Sequence, residues 1–313
     1  MFGLGMGLGL SRRQIISEKS IILTSDQTTL KQHSWLLQLP FGKKIKIDWG
    51  DGNVDIVEGE GTSDITVAHD YTVQGIYKIK ITGDLSSITK LRIMYENNLF
   101  GHLEVRLLTS LKILILSNVL ITINACEISQ LILLEWLTLI NVPNVTINGG
   151  EIRSLISLNT YLYLINIGDL TINGNEIGSL IFLQHLKISS TESYSTHNVT
   201  IGENEISNLT QLTELYISNA EGQEVNGRIT IDQYETFPSN IDITLQNCGL
   251  GKIEGDKSVD YTLIRVNAAN PGIWYYSVTI NGTNNGYRTS LSDNAVRDLE
   301  DRGWTVTVNE PSE

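Results

Sequence analysis

The sequence predicts a mainly β protein in which a small β-sandwich precedes a solenoid of repeats and a small α/β unit follows it. Three observations predict this fold class. Short segments with alternating apolar residues fill residues 20–84. A motif that ends in Asn and is followed by Thr-Ile and Glu-Ile recurs through the middle of the chain. The last part, residues 256–313, combines helical and strand patterns.

The first residues alternate glycine with large apolar side chains. Glycine disfavours helix, so residues 1–19 are predicted to form an extended apolar peg that a partner subunit buries. A disordered start is the alternative. Arg12 and Arg13 follow the apolar run instead of preceding it, so the segment does not fit a secretory signal. The predicted assembly-anchor side chains are Phe2, Leu4, Met6, Leu8 and Leu10.

Residues 20–84 are predicted to form the sandwich, because period-2 alternation is typical of half-buried strands. Three segments carry a family resemblance: IDWGDG (47–52), HDY (69–71) and GIYKIKITGD (75–84). Their order and spacing resemble the PKD-type immunoglobulin-like domain, although the Phe of its usual turn is absent. The resemblance implies an Ig-like spacer or adhesion module and no enzymatic activity.

The repeat fills residues 85–255, in which a strand phrase and a return phrase alternate. A fixed period in the range of 20 to 50 residues indicates a solenoid. Successive spacings of the Asn-type position are 23, 25, 24, 29 and 28 residues. We expect its side chain to bond backbone groups at the turn after the strand. These positions are Asn118, Asn141, Asn166, Ser190, Asn219 and Asn247.

The strand phrase LEWLTLIN (134–141) resembles a leucine-rich repeat with one residue fewer before the Asn. The resemblance implies a solenoid that presents a binding surface. ITKLRIMYEN (88–97) is predicted to be an irregular first coil, which the sandwich caps.

The C-terminal unit, residues 256–313, is predicted to cap the other end of the solenoid. A short helix is expected over 258–270, a strand over 275–282, and a helix followed by a strand over 292–309. The segment DRGWTVT (301–307) is similar to closing segments of repeat proteins from Bacteroidota and their phages. The Gly/Leu-rich start is likewise similar to virion proteins of such phages.

The residues that alternate with the buried leucines are predicted to face outwards on a concave sheet. Aromatic side chains on a surface mark a contact site. Three alternatives stay open: an outside ligand binds this face, a neighbouring subunit covers it, or the strand register is wrong. The predicted ligand-binding residues are Trp136, Tyr161, Tyr163, His185, Lys187, Glu214 and Tyr216.

Metal and enzyme motifs are not recognised. The acidic residues Asp48, Asp51, Asp55 and Glu58 lack calcium-loop spacing. Neither the five histidines nor the two cysteines, Cys126 and Cys248, lie in a metal or catalytic signature. We therefore expect no enzyme activity, no metal and no cofactor. One glutamate recurs in each coil, which favours a structural role over a cation ladder: Glu127, Glu151, Glu176 and Glu205.

The partner and localisation predictions combine these points. The net charge of −13 argues against nucleic acid. The absence of an 18-residue apolar run predicts no membrane span. We expect a non-enzymatic component of a phage virion (fibre, decoration or tail protein), anchored to other virion proteins by its N-terminus. It would be a homo-oligomer or part of a large assembly, and would contact a host protein or glycan. The alternatives are a bacterial surface or secreted adhesin, and a polysaccharide-active enzyme.

Overall fold

The structure is a computed structural model, and it is mainly β, as the sequence predicted. The predicted anchor residues Phe2, Leu4, Met6, Leu8 and Leu10 lie outside the residues that it describes. Those residues are 19–124, 126–167, 170–172, 176–189, 197–201, 205–218, 229–231, 237–248, 250, 257–272, 275–282 and 285–309.

The N-terminal strands form two facing sheets. β1, β3, β4 and β6 belong to one sheet, and β2 pairs with β5 in the other. Trp35 and Trp49 are both buried, with ring centroids 5.2 Å apart. The strands are β1 (Ile21–Asp26), β2 (Gln32–Gln38), β3 (Lys44–Asp48), β4 (Val54–Glu58), β5 (Ile65–Asp70) and β6 (Ile76–Gly83).

The residues of the PKD-like motif lie together. The Trp49 ring stacks on His69 at a centroid distance of 4.6 Å. His69 Nε2 lies 2.9 Å from Asp51 Oδ2, and the Tyr71 hydroxyl donates to the Trp49 carbonyl at 3.0 Å. Tyr71 in turn stacks on Tyr77 at 4.4 Å. The motif spacing therefore builds one aromatic cluster, and assignment to the PKD-type family stays a prediction.

Both N-terminal sheets continue into the repeats. β7 pairs antiparallel with β2 on one side and parallel with β9 on the other. β8 similarly joins β1 to β10. The predicted division between residues 84 and 85 is thus crossed by backbone hydrogen bonds in both sheets. These strands are β7 (Lys90–Met94), β8 (Leu99–His102), β9 (Ile113–Ser117) and β10 (Leu120–Thr122).

Each coil of the solenoid contributes one strand to a long parallel sheet, and most add a return strand to a second sheet. The long sheet has eleven strands and continues to the C-terminal unit. The return strands β12, β14, β16 and β18 form a four-stranded sheet. The elements are β11 (Trp136–Val142), β12 (Ile147–Asn148), α1 (Gly149–Arg153), β13 (Tyr161–Ile167), β14 (Leu170–Ile172), β15 (His185–Ser189), β16 (His197–Ile201), β17 (Glu214–Ser218), β18 (Ile229–Ile231) and β19 (Asp242–Gln246).

The core of the solenoid consists of two in-register rows of leucine and isoleucine on the inner face of the long sheet. Parallel pairing places each such side chain beside its equivalent in the next coil. Full burial of one such side chain stabilises the fold by about 1.5–3 kcal/mol. The rows, all 0% exposed, are Leu114, Leu137, Leu162, Leu186, Leu215 and Ile243, and Leu116, Leu139, Leu164, Ile188, Ile217 and Leu245.

The repeated asparagines form a ladder of side chains. Asn141 Nδ2 donates to Asn118 Oδ1 at 2.8 Å, and Asn166 Nδ2 donates to Asn141 Oδ1 at 2.7 Å. These three residues and Asn247 have positive φ angles, between 48° and 55°. Asparagine tolerates this left-handed conformation better than most residues. The expected partners were backbone groups at the turn, whereas this ladder links side chains of successive coils. Ser190 and Asn219 lie outside the described residues.

The C-terminal unit adds strands to the same long sheet. β20 pairs parallel with β19, and β21 pairs parallel with β20. The buried Asp260 carboxylate accepts hydrogen bonds from the Thr289 amide and hydroxyl and from the Ser292 hydroxyl, all within 2.8 Å. The elements are α2 (Ser258–Ala269), β20 (Ser277–Asn281), α3 (Asp293–Asp301) and β21 (Thr305–Val308).

The helices of the described residues are short. Within the described residues, none has both the length and the apolar character needed to cross a membrane.

The asparagine ladder predicts a specific loss of stability. Asn141→Ala removes two hydrogen bonds, worth about 1 kcal/mol each, and replaces asparagine, which tolerates the left-handed region, by alanine, which adopts it at a cost of up to about 1–2 kcal/mol. We expect the free energy of unfolding, measured by urea denaturation, to fall by about 2–4 kcal/mol. Asn141→Gly is the control, because it loses the bonds without the backbone strain and should cost less. Equal losses would contradict the role assigned to the backbone conformation.

Candidate functional site

The seven predicted ligand-binding residues lie together on the outer face of the long sheet. In the first row, each of Trp136, Tyr161, His185 and Glu214 is the register partner of the next. A second row lies two residues further along the strands. We call the whole set the aromatic strip: Trp136, Tyr161, Tyr163, His185, Lys187, Glu214 and Tyr216.

The rings of the aromatic strip cover one another. Tyr161 stacks on His185 with centroids 4.6 Å apart and an interplanar angle of 19°. Trp136 lies 4.5 Å from Tyr161 on the neighbouring strand, tilted by 49°. Tyr163 meets Tyr161 edge-on at 5.1 Å. All seven side chains are half-buried, whereas the sequence predicted that they would be freely exposed.

Polar groups of the aromatic strip converge on one carboxylate. His185 Nδ1 lies 3.1 Å from Glu214 Oε2, and the Tyr163 hydroxyl donates to the same oxygen at 3.5 Å. Burial, with the nearby Glu214 charge, raises the pKa of Tyr163 to about 12, so its hydroxyl remains a donor at neutral pH. Lys187 Nζ lies 4.1 Å above the centre of the Tyr216 ring, a cation–π contact.

The surroundings of the aromatic strip change in character along the sheet. Towards the N-terminus the next coil contributes Ile113 and Ile115 at the equivalent positions. Beyond them, Lys90 Nζ forms an ion pair with Asp64, with Nζ–O distances of 2.8 and 2.9 Å. Towards the C-terminus, Asp242 is the register partner of Glu214. Arg92, the register partner of Ile115, adds a positive charge at that end, so the face has a positive end, an aliphatic and aromatic middle and an acidic end.

A buried arrangement in the sandwich was not predicted from the sequence. Ser25 Oγ lies 2.7 Å from His33 Nε2, and His33 Nδ1 lies 2.6 Å from Glu96 Oε2. Gln27 Nε2 also donates to Ser25 Oγ at 2.8 Å. The geometry is that of a nucleophile, base and orienting carboxylate. Ser25 and His33 are 0% exposed, so a substrate has no path to the hydroxyl. The group therefore joins β1, β2 and the segment after β7.

Two of the glutamates that recur in the coils, Glu151 and Glu205, accept hydrogen bonds from backbone amides, and Glu127 contacts the His102 side chain at 2.8 Å. Glu205 Oε1 accepts from the amides of Glu176 and Ile177, one coil earlier, at 2.5 and 2.8 Å. Glu151 forms a capping box with Asn148 at the start of α1. These contacts give the column a structural role. In the described residues, no group of three or more His, Cys, Asp or Glu is placed to hold a metal ion.

The acidic residues tested for calcium serve the turn of the sandwich. Asp48 and Asp51 accept from backbone amides two residues on, which are typical turn bonds. Asp55 accepts from the Trp49 indole at 2.7 Å, and Glu58 pairs with Lys44. Each carboxylate is thus engaged by a neighbouring residue of this hairpin or by His69.

The two cysteines are free thiols in different environments. Cys126 is exposed, with a positive φ of 68°. Cys248 is buried, and burial raises the pKa of its thiol. Cys126 is therefore the accessible thiol of the pair.

Comparison with known proteins gives one weak likeness. No family model and no curated protein matches the chain. An internalin from Listeria monocytogenes, known from a crystal structure, is similar to it at 15% sequence identity and a TM-score of 0.28. The match covers 73% of this chain and 83% of the internalin. The solenoid assignment rests on the strand pairing described above and not on this likeness.

The buried glutamate column predicts a pH effect. Burial raises the pKa of Glu151, more than the amides of Asn148, Cys126 and Ile128 lower it. A raised folded-state pKa means that ionisation of this carboxyl destabilises the native state. As the pH falls from 7 towards the unfolded pKa of about 4.3, wild-type stability should therefore rise relative to Glu151→Gln.

Urea denaturation at several pH values measures this difference. The exposed Glu60→Gln is the control for loss of one negative charge. If the unfolding free energy of wild type minus that of Glu151→Gln stays constant with pH, or decreases as the pH falls, the assignment is contradicted.

Proposed function

We propose that this chain is a non-enzymatic binding protein that contacts a partner protein through the aromatic strip. The observation that carries the proposal is the contiguity of seven aromatic and charged side chains on one open face of the sheet. Tyr and Trp are enriched where proteins bind one another, because they combine apolar area with a polar group.

The packing of the rings favours a protein partner over a glycan. A sugar ring stacks on an aromatic ring whose face is open. The Tyr161 ring, however, has His185 stacked against it and Trp136 packed from the neighbouring strand on the other side. The Tyr216 ring face is taken by the Lys187 ammonium. What the strip offers is ring edges, hydroxyls and charges, which suit the mixed apolar and polar surface of a protein.

The charge distribution indicates how such a partner would be oriented. Glu214 and Asp242 form the acidic end of the face, and Lys90 and Arg92 occupy the other end. A partner with basic groups near Glu214 and acidic groups near Arg92 would bind in one register, since complementary charge fixes orientation and raises the association rate.

A non-enzymatic role is favoured because the triad-like group in the sandwich is inaccessible to a substrate. Ser25, His33 and Glu96 have triad-like spacing but are buried under the sandwich sheets. Their burial supports a structural contribution from buried, hydrogen-bonded polar groups.

The biological setting that we propose is a phage particle, with residues 1–19 as the anchor to other virion proteins. It is supported by the Gly/Leu-rich start and by the order of the predicted modules. A bacterial surface or secreted adhesin is the alternative setting. Capture of another virion protein would favour the phage setting, whereas a host-surface partner fits either setting.

The binding proposal is tested with variants of the aromatic strip. Immobilised wild type, Tyr161→Ala and Tyr216→Ala are exposed to solubilised virion and host-surface proteins, and captured proteins are identified by mass spectrometry. Thr171→Ala, exposed on the return sheet, is the matched control. We expect a partner captured by wild type and control to bind each strip variant at least about tenfold more weakly when purified, as for hot-spot residues.

A glycan array probed with the same four proteins completes the design. Glycan binding that the strip variants lose and the control retains would overturn the protein-partner proposal. Equal affinity of all four proteins for the purified partner would exclude the strip as its binding site.

A further inference from the structure

An exposed apolar ridge lies on a different surface from the aromatic strip. Five successive coils enter their long-sheet strands through a Leu-x-x-Leu segment whose two leucines are buried at 2% exposure or less. The two residues between these leucines are exposed or half-buried in all five coils. In the three central coils they include five large apolar side chains, which we call the edge ridge: Ile132, Leu133, Ile156, Ile181 and Phe182, between 45% and 61% exposed.

Folding of the coil does not require these apolar residues. The coil before the ridge has Thr109 and Ser110 at the equivalent positions, and the coil after it has Thr210 and Gln211. Both flanking coils bury their leucines equally well. Adjacent coils touch here, since Ser157 Oγ donates to the Ile132 carbonyl at 2.6 Å. The apolar character of three neighbouring coils is therefore a property of the surface, and contiguous exposed apolar side chains mark interaction sites.

The charge of this surface indicates the occupant. None of the ten positions between the paired leucines is charged, in a chain with 22 basic and 35 acidic residues. Two copies with a net charge of −13 each repel one another, so an uncharged surface is where they can approach without facing like charges. The outer face of the six-stranded sheet is less suitable, because it exposes Lys44, Lys46 and Lys78. A contact there would have to bury these charged side chains.

A groove beside the ridge provides the complementary shape. Its volume is about 640 Å³, and Ile181 and Phe182 form its apolar wall. In a twofold dimer each copy would insert Phe182 into the groove of the other, so the same patch serves as ridge and as receptor. The remaining lining residues are uncharged: Ser157, Asn159, Gln184, Thr210 and Gln211.

We propose that the edge ridge and its groove join two copies of this chain in a twofold dimer. The ridge spans three coils, about 10 Å at the usual strand spacing of ~4.8 Å. A stable dimer buries about 800 Å² on each partner, which this short ridge reaches only with the groove and its polar flanks. The dimer is therefore weak and concentration-dependent. The contact leaves the aromatic strip, on the sheet face, available to another partner.

Sedimentation velocity of the full chain tests this dimer. We expect the sedimentation coefficient of wild type to rise from that of a monomer towards that of a dimer as the concentration increases to about 200 μM, as for a weak dimer with a dissociation constant between about 1 μM and 1 mM. Ile156→Glu/Phe182→Glu should remain monomeric, because buried unpaired charges oppose association. Ile56→Glu is the matched control, since Ile56 is 57% exposed on β4, and it should dimerise like wild type.

The remaining outcomes overturn the proposal. Wild type that stays monomeric at all concentrations would show that something other than a second copy covers the ridge, such as residues 1–18 or another protein. A double variant that dimerises as wild type does would place the interface elsewhere. Phe182→Ser removes the aromatic ring without adding charge, and serine already occupies the equivalent position 157 of the preceding coil. This variant should also weaken the dimer, so it tests the interface even if the double variant misfolds.

Discussion

Lateral burial of one coil by the next is the constraint on which the rest of this structure depends. A single coil has one strand in the long sheet and a short return segment, so its leucines are covered only when neighbouring coils lie on both sides. Parallel pairing in strict register brings equivalent leucines into contact, as with Leu137, Leu162 and Leu186. Shifting one strand by a single residue would turn its leucines to the solvent face, so burial and register are specified together.

The ends of the stack follow from the same constraint. At the N-terminal end, β2 and β1 continue the two sheets and cover the first coil. At the other end, β20 and β21 extend the long sheet, and the two helices α2 and α3 pack with them. Polar groups follow the same constraint, because the half-buried asparagine ladder and the buried Glu205 carboxylate link one coil to the next. A buried polar group is costly unless it is paired, so the Glu205 contacts also discriminate against a wrong register.

The repeat made the solenoid and its outer face predictable. Alternation of leucine with other residues determined which side chains face outwards, and the structure places all seven predicted residues in two adjacent rows. Three features could not be predicted from the sequence pattern. The pairing of β2 with β7 depends on how the sandwich packs against the first coil, and the alternation of residues within either strand does not determine this packing. Ser25, His33 and Glu96 are separated by 8 and 63 residues and belong to no motif. The partners of the asparagines also depend on the neighbouring coil and not on the local turn.

Because both sheets are continuous, we expect the N-terminal strands and the coils to form one cooperative body that holds the outer face rigid. Hydrogen–deuterium exchange, read by mass spectrometry at increasing urea concentration, tests this cooperativity. We expect peptides from β1–β6 and from β7–β19 to lose protection at the same urea concentration. Loss of protection in β1–β6 at a lower concentration, with β7–β19 still protected, would show two independent units and contradict it.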